Sequence, residues 1–425
     1  MFSMFYNLFL PFLFLSLLPK MVYQCLWQGK YRKNFLGRLG FGFSQIPLRK
    51  KLIWIHAPSL GETKAVASLA KLIRDKAKDY TLLVTSTTET GYEEAKKSIP
   101  FADHYLYLPF DFSWIIRPIV KRLRPAFVLL CESDFWYNFL DECKKRGAFI
   151  ALANGKLSER SLDRHLKAPF ISKHLFSKVD LFCLQSQTYS TRFQKLGLSA
   201  DKIHITGNIK LDTLSSGLNP AELKLWKRQF HLNNHLSITF GSSHAGEELL
   251  ILEVMERLWQ DHPDIKLFLV PRHPERFSEV AALLKKKQIK FVSYSNRQFC
   301  TGEEQVIFID AVGILKHCYQ VGDIAIVGGS FIDSVGGHNI IEPCYFGKPV
   351  LYGPHMFSQP DLVVAMKEFR AGIQTNDCDL ASILLNLMHS EDERNRLGNA
   401  GIKLINAMRG ASERTFSIIC NFFPF

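Results

Sequence analysis

Residues 327–354, VGGSFIDSVGGHNIIEPCYFGKPVLYGP, gather side chains whose types and spacing could hold a phosphate. An apolar run over 324–327 stops at Gly328-Gly329. A polar, glycine-rich loop then ends in Gly336-Gly337-His338-Asn339, and a helix is expected to begin at Ile340-Ile341-Glu342-Pro343. Glycines let a backbone approach an anion closely, and the first amides of a helix point at it. His338 and Asn339 add side-chain donors. Glu342, one turn in, stands where a carboxylate can accept from ribose hydroxyls. An ordinary strand-to-helix turn also uses glycines. The Gly-Gly-His-Asn run together with Glu342 favours a nucleotide-phosphate site.

Further chemistry sits behind other apolar runs. His56-Ala57-Pro58-Ser59-Leu60-Gly61-Glu62 joins an expected strand to an expected helix, with Pro58 and Gly61 shaping the turn. Glu62 falls at the helix start, where the dipole favours its ionised form. A carboxylate there can take a proton from a hydroxyl nucleophile, or merely complement the helix terminus; both readings stand. In Cys131-Glu132-Ser133-Asp134-Phe135-Trp136, Glu132 or Asp134 could bind an acceptor. Asp134 reads more readily as a cap for the next helix. Asn154–Ser161 offers amide and cationic donors, including Lys156, or is a solvated loop.

Thr206-Gly207-Asn208-Ile209-Lys210 precedes a linker, where Asn208 and Lys210 could meet a ligand reached by two domains. In Gly241-Ser242-Ser243-His244-Ala245-Gly246-Glu247-Glu248, Ser243 is an N-cap with Glu247 in the first turn, or an anion ligand through its hydroxyl. Val270-Pro271-Arg272-His273-Pro274-Glu275-Arg276 ends another expected strand. The planar fork of Arg272 suits a phosphate or carboxylate, or serves a surface salt bridge. Several strand ends carrying His, Ser, Arg and Gly converge on one pocket, and that convergence is more specific than any single motif.

The elements that must position these residues alternate. Strands are expected at 52–56, 81–85, 126–131, 148–153 and 180–184, with a helix from Gly61 to about Lys76. A second series is expected at 236–240, 266–270, 289–293, 306–309, 323–327 and 349–352. This is the βαβ rhythm of parallel sheets. The linker over 214–235 includes Ser215-Ser216-Gly217 and Asn219-Pro220. Two doubly wound α/β domains facing across a cleft is the economical architecture, with ligands at the carboxyl ends of the strands.

With 425 residues, 47% of them hydrophobic, the chain can build full cores. Its net charge of +13 suggests an acidic partner. No nucleic-acid-binding module is visible, so an anionic membrane surface and anionic substrates are favoured. The nine cysteines include no CxxC and no zinc spacing. They read as reduced cysteines of a cytoplasmic protein, and no structural zinc is expected. Residues 1–19 carry no charge, and Lys20, Lys30, Arg32, Lys33 and Arg38 follow. That pattern predicts an N-terminal membrane-anchor helix with the bulk of the protein on the cytoplasmic side. Pro11 leaves a shallow, monotopic insertion open beside a single-pass span.

Five ordered motifs resemble those of the transferases of 3-deoxy-D-manno-oct-2-ulosonic acid (Kdo) in lipopolysaccharide synthesis: 56–62, 206–210, 241–244, 271–276 and 336–339. The resemblance runs from about Arg32 to the C-terminus. It implies the two-domain GT-B fold, with a membrane anchor over 1–22 and an acceptor domain over 32–213. A linker over 214–235, a CMP-Kdo domain over 236–410 and a C-terminal segment over 411–425 would follow, that segment free to pack back on the first domain. It implies inverting transfer of Kdo from CMP-Kdo to the lipid A precursor at the cytoplasmic face of the inner membrane, with no metal or other cofactor.

By the same resemblance Glu62 is the general base. Arg272, His273, Gly336, Gly337, His338, Asn339 and Glu342 form the CMP site, which Ser243 and His244 join. Ser59, Gly61, Glu132, Asp134, Asn208 and Lys210 lie on the acceptor side or between the domains. Two departures touch that side: Tyr137 stands where the family pattern has proline, and Lys156 where it has arginine. The number of Kdo residues added stays open. So do two alternatives, a sugar-nucleotide epimerase of the same fold and a non-catalytic, membrane-attached nucleotide-binding protein.

Overall fold

A computed structural model describes residues 2–27, 34–48, 50–212, 217–232 and 235–425. Lys30, Arg32 and Lys33 of the basic flank and Ser215-Ser216 of the expected linker lie outside the described residues. The chain divides into two compact units, residues 1–214 with 408–425, and residues 215–407.

The first unit is built on seven parallel strands: β1 Leu52–His56, β2 Thr81–Ser86, β3 His104–Tyr107, β4 Phe127–Cys131, β5 Phe149–Gly155, β6 Leu181–Leu184 and β7 Ile203–Ile205. Their order is β3-β2-β1-β4-β5-β6-β7. The central strands β1 and β4 are buried along their whole length and largely apolar because helices cover both sheet faces. Alternate residues divide between two cores. Trp54, Val128 and Ile150 face one side with Phe139 and Leu140. Ile53, Ile55, Leu129 and Ala151 face the other, under Val66, Leu69 and Ile73 of the helix Leu60–Lys76. The C-terminal helix Ala411–Phe422 completes this second core with Ala411 and Ile419. Phe423 and Phe425 then close on the Phe127 ring at 5.1 and 5.2 Å.

The second unit repeats the plan with β8 Ser237–Ser243, β9 Lys266–Pro271, β10 Phe291–Ser293, β11 Val306–Phe308, β12 Ile324–Val327, β13 Val350–Tyr352 and β14 Ile373–Gln374. The order is β10-β11-β9-β8-β12-β13-β14. Each sheet has one point where the winding reverses: between β1 and β4 in the first unit, between β8 and β12 in the second. Ligands of doubly wound sheets bind at the carboxyl ends of the strands flanking such a point. The short strands β3, β7 and β14 were not anticipated. Two to four residues are too few to display a period.

The expected α-helix at Ile340 does not form. A turn leads instead into a 3-10 helix of four residues, Pro343–Phe346. Pro343 has no N–H to donate back to the Asn339 carbonyl. Gly347, left-handed at φ 66°, stops the turn at its far end.

The N-terminal helix Phe2–Trp27 contains Pro11 and Pro19. It returns one face to the first unit. Phe2 meets the Tyr137 ring at 4.7 Å, and Phe14 meets Phe110 and Phe112 at 5.2 and 5.3 Å. Tyr6 Oη donates to Asp111 at 2.8 Å, and the amides of Asn7 and Asn138 bond each other reciprocally. Its other face leaves Phe5, Leu8, Phe9 and Phe12 exposed. Among the described residues no helix is long and apolar enough to cross a membrane. The expected span therefore has no support; the helix lies along the unit.

Candidate active site

At the reversal point of the first unit, β1 delivers Ser59 and Glu62, and β4 delivers Glu132. Ser59 is the N-cap residue of the helix Leu60–Lys76, and its hydroxyl donates to the Glu62 carboxylate. Burial pushes the Glu62 carboxyl above its ordinary range. The Ser59 hydrogen bond opposes that rise, and the charge of Glu132 adds to it. Gly61 is exposed within the helix, and a Cβ there would meet open space. The turn does not require glycine; the first helical turn beside Glu62 is simply left bare.

Glu132 is only 2% exposed and holds a left-handed backbone at φ 67°. A non-glycine residue persists there only when its surroundings fix it. Here Lys156 pairs with one carboxylate oxygen, and Lys210 Nζ reaches the other at 2.5 Å. Burial pushes the Glu132 carboxyl up, but the two lysines outweigh it and hold the group ionised, below its usual range. Lys210 is aimed by the turn that Asn208 caps, its side chain accepting from Lys210 N at 3.0 Å. Asn154, also left-handed at φ 56°, accepts from Ile209 N at 3.1 Å and ties that turn to β5.

Asp134 is not a helix cap. Its Oδ2 lies 3.0 Å from His56 Nε2 and accepts from Trp136 Nε1 at 3.0 Å. The helix Tyr137–Lys145 that follows has no side-chain cap. Asp134 thus fastens the loop after β4 to the end of β1, where His56 is fully buried and its Nδ1 reaches Thr85.

At the reversal point of the second unit, Glu247 opens the helix Glu247–Asp261 and is fully buried. Its carboxylate accepts from the backbone N–H of His244 (2.9 Å), Gly329 (2.7 Å), Ser330 (3.1 Å) and Phe331 (3.0 Å). The amides after β12, expected to face a ligand anion, are therefore occupied by an internal one. Ser243 is not the N-cap; Gly246 holds that place. The buried Ser243 hydroxyl donates to Glu248 Oε1 at 2.8 Å, and Glu248 is gripped by Arg276 at 2.6 and 3.2 Å.

Gly336 and Gly337, at φ 87° and 82°, fold the loop tightly onto residues 355–358, where a Cβ on either would collide with Phe357 and Ser358 or with Met356. Gly337 N donates to Gly329 O at 2.6 Å and closes the loop. That closure sets His338 against His244, Nε2 to Nε2 at 2.8 Å. The ring of His273 lies 5.2 Å from that of His244. Arg272 is exposed beside it, its backbone N–H fixed to Ser243 O at 3.0 Å. Burial, with His244, Arg272 and His273 adding, pushes His338 down to about 4. Asn339 Nδ2 donates to Glu342 at 3.3 Å, and burial raises the Glu342 carboxyl.

The structure thus gathers Ser59, Glu62 and Glu132 with Lys156 and Lys210 in one unit, and His244, His273 and His338 with Arg272 and the Asn339–Glu342 pair in the other. The first group can accept a proton beside a fixed carboxylate. The second offers imidazoles and a guanidinium to an anion. The internal anion Glu247 escaped sequence reasoning. A signal existed: Ala245-Gly246-Glu247 occupies the same place after β8 that Leu60-Gly61-Glu62 occupies after β1.

A family model described as "3-Deoxy-D-manno-octulosonic-acid transferase (kdotransferase)" matches residues 33–213. A 3-deoxy-D-manno-octulosonic acid transferase of Chlamydophila psittaci is 33% identical over 99% of this chain and 96% of its own. The chain belongs to the Kdo transferase family. A second member, from Haemophilus influenzae, is 32% identical over 92% of this chain and 91% of its own. Among solved structures, a UDP-GlcNAc 2-epimerase from Neisseria meningitidis aligns over 87% of this Kdo transferase family chain and 100% of its own, with a TM-score of 0.62. At 12% identity that likeness speaks to the fold alone.

Proposed function

We propose that this chain is an inverting glycosyltransferase that moves Kdo from CMP-Kdo to the lipid A precursor, lipid IVA, in lipopolysaccharide core biosynthesis. Attack of a hydroxyl on a ketose anomeric carbon passes through an oxocarbenium-like transition state. It needs a base for the hydroxyl and charge partners for the departing phosphate. The observation that carries the reading is Glu62, a half-buried carboxyl at a strand-end reversal point, made more basic than usual by its surroundings. Arg272, His244, His273 and His338 suit the phosphate end of the donor. The carboxylate of Kdo and the phosphates of lipid A suit a chain of net charge +13.

Glu62→Gln tests the base role. The variant should lose transfer from CMP-Kdo to lipid IVA, followed by product mass, while still binding CMP. Full transfer by Glu62→Gln rules the base out.

The chain works at the cytoplasmic face of the inner membrane, its N-terminal helix lying in the interface. Support comes from the exposed Phe5, Leu8, Phe9 and Phe12 opposite the face tied down by Tyr6 and Asn7. Vesicles of anionic phospholipid should carry the chain down on centrifugation. Phe9→Asp with Phe12→Asp should leave it in the supernatant, and equal sedimentation of both would count against this placement.

A further inference from the structure

The contact between His244 and His338 constrains how much charge the pair can carry. Their Nε2 atoms lie 2.8 Å apart with ring planes only 13° from parallel and centroids 5.0 Å apart. Rings in face-to-face contact cannot bring two nitrogens that close, so these rings lie nearly coplanar, end to end. Such a hydrogen bond needs a hydrogen on one facing nitrogen and a lone pair on the other. One extra proton can be added at an outer Nδ1 without disturbing it. A second would leave hydrogens on both facing nitrogens and break the contact.

The surroundings decide when that proton is held. Arg272 and His273, from the segment after β9, and Arg276 beyond them raise the local positive potential on His244. On the helix Glu247–Asp261, Glu248 is already paired with Arg276, and Glu247 is consumed by four backbone amides. Glu275, on the same segment as His273, lies 3.7 Å from His273 Nδ1, and Glu342 is bonded to Asn339 and is itself raised by burial. The carboxylates named here are all engaged elsewhere. Burial and these cations push both His244 and His338 down, and the pair is neutral near pH 7. A phosphate at the mouth would supply the missing anion.

We propose that the His244–His338 pair takes up a single proton when the phosphate of a cytidine nucleotide docks beside it, so that the pair balances the charge of the leaving nucleotide. The proposal rests on the donor-site reading above. The reaction's bookkeeping fits it. Transfer breaks the bond between the phosphate oxygen and the anomeric carbon and forms the bond to the acceptor oxygen. The acceptor proton goes to Glu62, and the phosphodiester with one negative charge becomes a monoester with two. The proton on the pair meets that second charge.

Calorimetric titration of the full chain with CMP tests this, in buffers of different ionisation enthalpy and at a pH above the phosphate's own second ionisation. The observed enthalpy should vary with buffer at a slope of about one proton taken up per CMP. His338→Gln and His244→Gln, which keep polar side chains but cannot hold the charge, should each bind CMP more weakly with a flat buffer dependence. His273→Gln should retain the uptake. CMP binding by the unaltered chain with no buffer dependence overturns the pair and leaves the donor site standing. Uptake lost only in His273→Gln overturns it too, by moving the charge to another ring. Failure of the unaltered chain to bind CMP at all overturns both readings.

Discussion

Two carboxylates occupy the same station in the two units. Glu62 and Glu247 each stand at the start of the helix that follows the first strand of a doubly wound sheet, beside the point where winding reverses. Burial raises the pKa of both. Their neighbours make them opposite things. Glu62 receives one side-chain hydrogen bond from Ser59, within its own turn, and stays half-exposed. Glu247 accepts four backbone hydrogen bonds, three of them from the loop after β12, and has no exposed surface. Topology supplies a carboxylate at a strand end; the loop of the neighbouring strand decides whether it stays accessible or holds the fold. After β4, left-handed Glu132 gives its carboxylate to Lys156 and Lys210 rather than its backbone to Glu62. After β12 it wraps back over Glu247.

Three substitutions sharpen or break that contrast. The largest effect belongs to Glu247→Ala. It leaves three buried amides and the part-buried His244 N–H without an acceptor, each buried one worth about 1–3 kcal/mol. The loop over 328–331 should come apart, CMP binding should vanish, and the melting temperature should fall steeply. A variant that melts normally and still binds CMP would mean that Glu247 does not hold the loop.

Glu62→Gln comes next, and its signature is the reverse: melting and CMP binding preserved, transfer lowered by about 10²–10⁴-fold as for loss of a general base. The smallest effect is a displacement. Glu132→Gln removes the negative charge that raises Glu62 and frees Lys156, which lowers it. Both changes ease ionisation of Glu62, so the acidic limb of kcat/KM should move to lower pH. An acidic limb that stays put would show that some other group controls it.

Much of this arrangement was readable from residues alone, and the remainder had identifiable causes. The apolar runs that became β1, β4, β8, β9 and β12 were legible because sheets covered on both faces need continuous hydrophobic strands. The residues just past them were legible as site candidates because strand ends are where such sheets bind ligands. Bonds made across long sequence separations were not legible. Ser243 and Asp134 both look like caps in a local window. Asp134 is claimed by His56, 78 residues earlier, while Ser243 turns to Glu248, only five residues on, because Gly246 takes the cap. Nothing in residues 328–331 announces that their amides belong to a glutamate 82 to 84 residues upstream. The helix foreseen at Ile340 failed on local grounds, since Pro343 withholds the donor that its first turn requires.

The return of residues 408–425 to the first unit fixes an order of events at the ribosome. Residues 215–407 are synthesised in full while the earlier sheet still lacks Ala411 and Ile419 on its helix-covered face, and lacks the Phe423 and Phe425 rings that pack on Phe127. The unit begun first is therefore completed only after the second has been made, and Glu62 stands on a helix whose own packing waits for residues 411–419.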